Sequence, residues 1–207
     1  MNFTKYVLFF FWAGLLFLSC DSESTSPSAG FQILPLAVGN YWNYESYWVR
    51  DNIVVSDSFI NQMSIISLDT VKSFIGYKLS NFLLWSWRST YCSNRSDGLH
   101  IAVDPDENPP SPPPPPRPLK VGKGLSFPTY PGDTWNFDIY QIRTANLNQF
   151  ISVPAGEFNC INYQVLEADT LVAELWVTQN IGIIKGIQKN NTGEIRINNL
   201  VSYELAR

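Results

Sequence analysis

Residues 35–44 of this 207-residue chain read Pro35-Leu36-Ala37-Val38-Gly39-Asn40-Tyr41-Trp42-Asn43-Tyr44, and they decide the fold. Residues 128–137 repeat the pattern as Pro128-Thr129-Tyr130-Pro131-Gly132-Asp133-Thr134-Trp135-Asn136-Phe137. In both copies a glycine, which can take positive φ in a turn, is followed three residues later by a tryptophan that can anchor a strand. The repeat therefore predicts two similar half-sheets, each entered through a turn.

Short segments with sequences typical of β-strands occur throughout the chain on both sides of these turns. Before residue 104 they are Tyr41–Val49, Ser58–Leu68, Ser73–Phe82 and Leu99–Val103, rich in β-branched and aromatic side chains. After residue 118 they are Asp133–Arg143, Gln149–Val153, Asn159–Glu167, Leu171–Thr178, Gly182–Gln188 and Glu194–Glu204. We therefore predict that residues 31–207 form a single all-β domain with an antiparallel sheet, shaped as a half-barrel, a barrel or a sandwich.

One strand signal carries a row of aromatic residues. Alternation along residues 83–92 places Trp85, Trp87 and Tyr91 on one face. Such a face could stack against a sugar or line a lipid site, but aromatic side chains at strand spacing are more often part of a core. Core packing is the favoured prediction for these three residues. The same prediction applies to Trp42, Trp48, Trp135 and Trp176.

Residues 104–118 interrupt the strand pattern, because nine of the fourteen prolines lie between Pro105 and Pro118. Proline cannot donate to a strand ladder, so this segment predicts a polyproline-II loop or an exposed arm. It could be a ligand for an aromatic groove, but a stiff connection between two halves of one sheet is favoured. Its acidic start, residues 104–108, has oxygen ligands of the kind that Ca²⁺ prefers, yet it lacks an EF-hand pattern and predicts a solvated loop.

The first twenty residues resemble a bacterial lipoprotein signal peptide. Lys5 precedes an uncharged apolar run of thirteen residues, 6–18, which is too short for a membrane-spanning helix. The run ends in Phe17-Leu18-Ser19-Cys20, which is similar to a lipobox. The resemblance implies that residues 1–19 are removed, that Cys20 is acylated, and that residues 20–30 are a flexible acidic and Ser-rich spacer.

Composition and the spacer indicate where such a protein would be found. Acidic residues directly after Cys20 resemble the surface-export signals of Bacteroidota lipoproteins, so we expect an outer-membrane location with the cell surface favoured over the periplasmic face. Aromatic residues make up 14% of the chain and charged residues 15%, as is typical of exported β-rich proteins. The net charge is −4 without a basic cluster, which argues against nucleic acid as a partner.

Two cysteines remain if Cys20 is acylated. Cys92 and Cys160 lie in strand-like stretches, and an exported protein can keep a disulfide between them. The alternative is two separately buried thiols that act as small apolar side chains. Sequence spacing does not decide between the two arrangements.

The domain itself resembles an uncharacterised family of bacterial envelope lipoproteins. The resemblance is carried by the opening motif of residues 35–44, by the turn Val153-Pro154-Ala155-Gly156-Glu157-Phe158, by Trp176 with Gly182-Ile183-Ile184-Lys185, and by the final strand, residues 200–205. Where members often have Ala-Pro-Gly, this chain has Thr178-Gln179-Asn180. The resemblance implies an antiparallel sheet curved around a hydrophobic interior, distantly similar to the lipoprotein-localisation carriers.

The sequence contains few candidate catalytic residues. His100 is the single histidine, and a strand histidine paired with a neighbour such as Asp97 or Asp104 is expected there, not a catalytic base. No nucleophile motif, metal site or cofactor motif is present, so we predict a protein that is not an enzyme. The leading hypothesis is a lipid-anchored outer-membrane domain that binds a hydrophobic or glycan ligand or a partner protein. The alternatives are a structural accessory of envelope or surface machinery, with the Pro-rich loop as its contact arm, and a carboxylate-based hydrolase.

Overall fold

The computed structural model describes residues 32–82, 90–106 and 117–206, and all the regular secondary structure of these residues is β-strand. The strands are β1 (Tyr41–Arg50), β2 (Ile53–Val54), β3 (Phe59–Val71), β4 (Phe74–Ser80), β5 (Thr90–Arg95), β6 (Gly98–Val103), β7 (Lys120–Ser126), β8 (Thr134–Phe137), β9 (Tyr140–Val153), β10 (Gly156–Glu167), β11 (Thr170–Thr178), β12 (Gly182–Lys189) and β13 (Ile195–Glu204). The all-β prediction is confirmed.

All strands belong to one antiparallel sheet in which successive long strands pair with each other, except that β7 and β8 are the two outer strands. The order is β7-β6-β5-β4-β3-β1-β13-β12-β11-β10-β9-β8, and the short β2 pairs with β1. The first and last long strands pair directly, with Tyr41 opposite Glu204 and Val49 opposite Ile195. Because β7 and β8 then meet as the two outer strands, the sheet is a nearly closed up-and-down barrel, the second of the three predicted shapes.

Side chains, instead of a strand ladder, connect β7 to β8. The Lys120 ammonium lies 2.6 Å from the carboxylate of Asp138. The indole N–H of Trp135 donates to the carbonyl of Gly124 at 3.4 Å. The Phe137 ring packs so closely on Gly122 that a Cβ there would lie 2.7 Å from it. A residue without a side chain is therefore needed on β7 for the two outer strands to come together.

Alternation along each strand builds the core. On β1, Trp42, Tyr44 and Ser46 are buried while the residues between them are only partly so. Each large apolar side chain removed from water contributes about 1.5–3 kcal/mol before entropy costs. The largest fully buried side chains are Leu34, Trp42, Tyr44, Met63, Leu99, Ile101, Leu125, Ile142, Tyr163, Leu175, Ile184 and Leu200.

The first copy of the sequence repeat is a turn locked onto β3. Gly39 has φ of 96°, and the N–H of Asn40 donates to the carbonyl of Ala37 at 3.1 Å. Gly39 N donates to Ile65 O at 3.0 Å, and Ile65 N donates back to Asn40 O at 2.9 Å. The turn therefore fixes the register with which β1 begins its pairing.

The second copy makes the same set of hydrogen bonds with β9. Gly132 has φ of 91°, and Asp133 N donates to Tyr130 O at 3.1 Å. Gly132 N donates to Thr144 O at 2.8 Å, and Thr144 N returns a bond to Asp133 O at 2.9 Å. The sequence repeat is thus a structural repeat: β1 and β3–β7 follow the first turn, and β8–β13 follow the second, which makes six strands each apart from the short β2.

In the first half, the tip of the β3–β4 hairpin folds back over the outside of the sheet. Tyr91 and Ala102 alternate with the core residues Cys92 and Ile101, so they face outward. Phe74, beside the hairpin turn, packs on both of them. A second small apolar cluster therefore forms on the outer face.

In the second half, the β9–β10 hairpin folds back in a similar way. Its turn residue Ala155 donates from N to the carbonyl of Leu200 on β13 at 3.0 Å, although β11 and β12 lie between these strands in the sheet. The indole of Trp176, on the intervening strand β11, donates to the side chain of Gln149 on β9 at 2.8 Å. The second and third long strands of each half thus form the fold-back hairpin.

The Pro-rich segment has a different place from the one predicted. It follows β6 and precedes β7, which are paired neighbours within the first half. It is therefore a connection inside one half of the barrel and not a link between the two halves. Residues 107–116 of this segment lie outside the described residues.

Candidate functional site

One end of the barrel, called here the closed end, is covered by the segment Gln32–Leu36. Ile33 and Leu34 are buried in the core. Asn180, in the β11–β12 turn, donates from N to Gln32 O at 2.8 Å, and Asn94 on β5 donates from its side chain to Leu34 O at 2.7 Å. The start of the described chain therefore crosses the barrel opening from one wall to the other.

Two motif side chains complete the closed end where the sheet separates. The β12–β13 ladder stops at Lys185 and Asn199. Beyond that point the Trp42 indole donates to Ile181 O at 2.6 Å, and the Tyr44 hydroxyl donates to Ile183 O at 2.9 Å. These aromatic side chains supply hydrogen bonds to β12 where it has no ladder with β13.

The opposite end, called the open end, contains a cleft of about 460 Å³. It lies among the turns that join β8 to β9, β10 to β11 and β12 to β13. We call it the mouth cleft. Its lining residues are Tyr140, Val165, Glu167, Val172, Ala173, Gln188, Lys189, Asn190, Asn191 and Thr192. Amide, hydroxyl and charged groups thus line a space whose floor is apolar.

The rim of the mouth cleft is held by one asparagine. The Asn190 Oδ1 atom accepts hydrogen bonds from Thr192 N at 3.0 Å and from Glu194 N at 2.8 Å. Its Nδ2 donates to the Glu194 carboxylate at 2.9 Å, and Arg50 forms an ion pair with the same carboxylate. Hydrogen bonds from Asn190 and Arg50 lower the pKa of Glu194. The turn is therefore preformed, because its polar groups are satisfied from within.

Arg196 stands next to this cleft on the inner face of β13. It alternates with the buried Asn198 and Leu200, and it is directly opposite Trp48 on β1 and Gln188 on β12. Its guanidinium carbon lies 5.3 Å from the centroid of the Phe59 ring, at a cation–π distance.

The guanidinium of Arg196 is half-buried, and its Nε donor is not used. The Nε atom is shielded from solvent and has no hydrogen-bond partner. Burial lowers the pKa of this arginine from its usual value, although arginine stays charged in proteins. Among residues 32–82, 90–106 and 117–206, no carboxylate forms an ion pair with it.

Tyr91, which the sequence left as a possible ligand surface beside the favoured core-packing role, has a buried ring. The ring is buried, because Phe74 from the fold-back hairpin covers it, and the Lys78 ammonium lies 5.9 Å from the ring centroid. Tyr91 therefore offers no open face to a sugar. Trp85 and Trp87 lie outside the described residues, as does Cys20.

The two cysteines occupy separate places in the core. Cys92 on β5 and Cys160 on β10 are both free and buried, so the structure has the second of the two predicted arrangements. The Cys160 sulfur lies 3.3 Å from the Thr178 hydroxyl. Burial raises the pKa of both thiols, which keeps them protonated and unreactive.

His100 is paired with a neighbour, as the sequence predicted. Its Nε2 atom lies 2.9 Å from the Asp97 carboxylate, whose other oxygen lies 2.8 Å from the Lys123 ammonium. Lys123 and then His100 lower the pKa of Asp97 to about 2. The group is an ion-paired surface cluster at the β5–β6 turn and contains no nucleophile.

The acidic start of the Pro-rich segment is neutralised by two cations. Lys72, at the tip of the β3–β4 hairpin, donates to Asp104 at 3.1 Å, to Asp106 at 3.2 Å and to the carbonyl of Arg117 at 3.0 Å. Arg117 N donates to Asp106 at 2.7 Å. In the described part of the chain, no cluster of three or more His, Cys, Asp or Glu side chains could hold a metal ion.

The mouth cleft and Arg196 were not predicted as a site from the sequence. A signal was present, since period two places Arg196 on the same face as Leu200 in a predicted strand. An arginine at an inward position conflicts with core packing and therefore marks a special position. The lining residues come from four strands and one turn, and only the barrel topology brings them together.

Comparison with known proteins gives limited similarity. No protein-family model matches the chain, and no curated protein matches it. A Bacteroides fragilis protein described as exported and as having a YmcC-like fold matches 83% of this chain and 98% of its own length, at 14% identity and a TM-score of 0.40. A Parabacteroides distasonis protein described as a lipoprotein matches 84% of this chain and 99% of its own, at 13% identity and a TM-score of 0.42.

Membrane-spanning helices were also sought. None of the residues that the structure describes forms a helix long and apolar enough to cross a bilayer.

Proposed function

We propose that this chain is a lipid-anchored envelope protein that binds a polar ligand in its mouth cleft. The observation that carries the proposal is the position of the cleft, at the end of the barrel opposite to the one where Gln32–Leu36 enter. Acylation at Cys20 would leave residues 21–31 as the spacer, which reach at most roughly 36–40 Å when fully extended. The closed end then lies near the membrane and the open end faces away from it.

A glycan suits the cleft better than a lipid does. The barrel interior is filled by fully buried side chains such as Trp42, Tyr163 and Leu175, so it has no room for an acyl chain at those depths. The cleft instead presents the amides of Gln188 and Asn191 beside the ring of Tyr140, a combination that saccharide ligands use. We therefore favour a glycan over the hydrophobic cargo and the partner protein that the sequence also allowed.

Binding without catalysis is the favoured activity. The described lining of the cleft includes one carboxylate, Glu167, whereas glycoside hydrolysis needs a pair of them. Histidine, cysteine and serine are not among these lining residues. The carboxylate-based hydrolase is therefore the less favoured alternative.

Glycan binding can be tested with the soluble Cys20→Ser protein. We expect native mass spectrometry to show a bound saccharide, either co-purified or added from a panel of envelope and host oligosaccharides. Asn191→Trp places a large ring at the exposed rim and should abolish the complex, while Ser152→Trp, on an exposed position of β9, should leave it intact. A panel with no binder, or equal binding by both variants, would contradict the proposal.

The anchor and its side of the membrane need their own test. Palmitate labelling of the chain should disappear in Cys20→Ser, because the thiol is the proposed acylation site. Protease added to intact cells should digest the anchored chain if it lies on the outer surface of the outer membrane. Protection until the cells are lysed would place it on the periplasmic face.

The contacts that Lys72 makes with both described flanks of the Pro-rich segment favour the structural-accessory alternative. Lys72 and Arg117 hold the two described flanks of the Pro-rich segment together through Asp106. Flanks that are already held together lose less entropy when a partner binds next to them, which suits a contact arm. Replacing residues 107–116 by a short Gly-Ser linker should then abolish capture of an envelope partner and keep the melting temperature. Capture that persists would remove this alternative.

A further inference from the structure

We propose that Arg196 recognises a carboxylate on the ligand, so that the mouth cleft takes an acidic saccharide. This inference rests on the proposed function and specifies its substrate class. It starts from a charged side chain at the open end whose buried Nε donor has no hydrogen-bond partner in the described part of the chain.

The position of Arg196 is the first observation. Gln188, its direct neighbour on β12, lines the mouth cleft, and Trp48 is its direct neighbour on β1. Side chains at opposed positions of antiparallel strands lie on the same face within about 5.5 Å of each other at Cβ. Arg196 therefore belongs to the wall of the barrel mouth, between an amide and an indole.

The Nε donor of Arg196, which has no partner, is the second observation. A guanidinium has five N–H donors, and none of those on Arg196 is paired with a carboxylate in the described part of the chain. Its Nε donor is shielded from water without a partner, which costs free energy unless a ligand satisfies it. Arg50, which also lies at the open end, differs from Arg196 because it forms an ion pair with Glu194.

The surroundings select a carboxylate on a sugar. The planar fork of arginine matches a carboxylate with two parallel hydrogen bonds. Phe59 supplies an aromatic ring beside the guanidinium, and Trp48 is directly opposite Arg196 on β1, so that a saccharide ring could stack on an aromatic side chain here. The whole chain carries a net charge of −4, so a preference for an anion would come from this local site and not from the overall field.

The test uses the detergent-solubilised full chain and three probes: tetragalacturonate, its methyl ester and inorganic phosphate. By calorimetry the free acid should bind at least about tenfold more tightly than the ester, since only the acid can pair with Arg196. Phosphate should not displace it at comparable concentration. Arg196→Met should weaken binding of the acid at least about tenfold and change ester binding little. Arg196→Lys keeps the charge without the planar fork, so its affinity for the acid should lie between those of the unmodified chain and Arg196→Met.

The matched control is Arg143→Met. Arg143 lies on an exposed position of β9 and donates to Gln164, away from the mouth cleft, so binding should be unchanged. Melting curves of all variants verify folding, and Arg196→Lys keeps the test open if Arg196→Met unfolds.

The outcomes separate this inference from the proposed function. Equal affinity for acid and ester, or an Arg196→Met protein that binds the acid like the unmodified chain, would overturn the role of Arg196 while leaving glycan binding in place. Displacement by phosphate at comparable concentration would overturn the carboxylate class. If neither saccharide binds, the proposed glycan function fails together with the inference.

Discussion

The indole N–H of Trp42, on the first strand of the barrel, donates to the carbonyl oxygen of Ile181 at 2.6 Å, although β13 separates β1 from β12 in the sheet. The bond lies where the β12–β13 ladder has ended, and it joins the start of the first half to the closed end of the second. Trp42 thus links strands that share no ladder, in addition to filling the core.

Replacing this donor should destabilise the barrel. Trp42→Phe keeps most of the apolar volume but leaves the part-buried carbonyl of Ile181 without its partner, so we expect a loss of about 1–3 kcal/mol in the free energy of unfolding. Trp135→Phe is the matched control at the equivalent position of the repeat. Its indole bond is longer, at 3.4 Å, and the side chain is half-buried, so the loss should be smaller. Urea unfolding would measure both, and equal losses would contradict the role given to Trp42.

Gly182 should tolerate no side chain. Its φ is +109°, and a Cβ would lie 2.6 Å from the Leu34 side chain that seals the closed end. Gly182→Ala should therefore lower the free energy of unfolding by more than the roughly 1–3 kcal/mol of backbone strain alone. Gly193→Ala is the control, because φ there is +85° with open space around it. Thermal melting that shifts equally for both variants would show that the contact with Leu34 does not matter.

Acid should weaken the cluster at the β5–β6 turn. The folded pKa of Asp97 is lowered from 3.8 to about 2, so its contribution to stability is fully present above the unfolded pKa of about 4 and is lost as the pH falls through about 2. In a carbon-detected NMR titration, Lys123→Met should raise the pKa of this carboxyl. Lys120→Met, which removes a partner of Asp138 instead, should leave the Asp97 titration where it is. An unchanged midpoint in Lys123→Met would show that the ion pair does not form.

The thiols give a direct chemical prediction. Native Cys20→Ser protein should not react with a water-soluble disulfide reagent, because Cys92 and Cys160 are buried and burial raises the pKa of both. Denatured protein should titrate two thiols without a reducing agent. Zero thiols, together with a mass lower by two protons, would instead establish the bridge that the sequence allowed.

Local features of the fold were predictable because they depend on neighbours in the chain. The alternation of side chains and the glycine turns predicted the strands and the repeat. The predicted strand Asp133–Arg143, however, is divided between two strands in the structure. Asp138 adopts φ of 56° and forms a tight turn inside it, which strand propensity alone does not reveal. Likewise the predicted segments Ser58–Leu68 and Gln149–Val153 are parts of the longer β3 and β9.

Features that depend on distant contacts were not predictable. Alternation groups Tyr91 with other aromatic residues, but it does not reveal that Phe74 covers Tyr91 from a hairpin that folds back over the sheet. The mouth cleft needs Tyr140, Ala173 and Gln188 to meet, and these residues come from strands whose order in the barrel is known only from the structure. A period-two pattern assigns a face to each residue but does not say which strand lies opposite.

The order of the strands also determines how the barrel would carry mechanical load. Tension transmitted through the N-terminal segment reaches β1, which pairs with β3 over residues 41–46 on one side and with β13 over residues 41–49 on the other. Such a pull acts along the strand and must shear many hydrogen bonds at once. The ladder-free contact between β7 and β8 lies across the barrel, away from this line of force. Tension applied through the N-terminal segment would therefore shear the ladders of β1, while the ladder-free β7–β8 contact would stay unloaded.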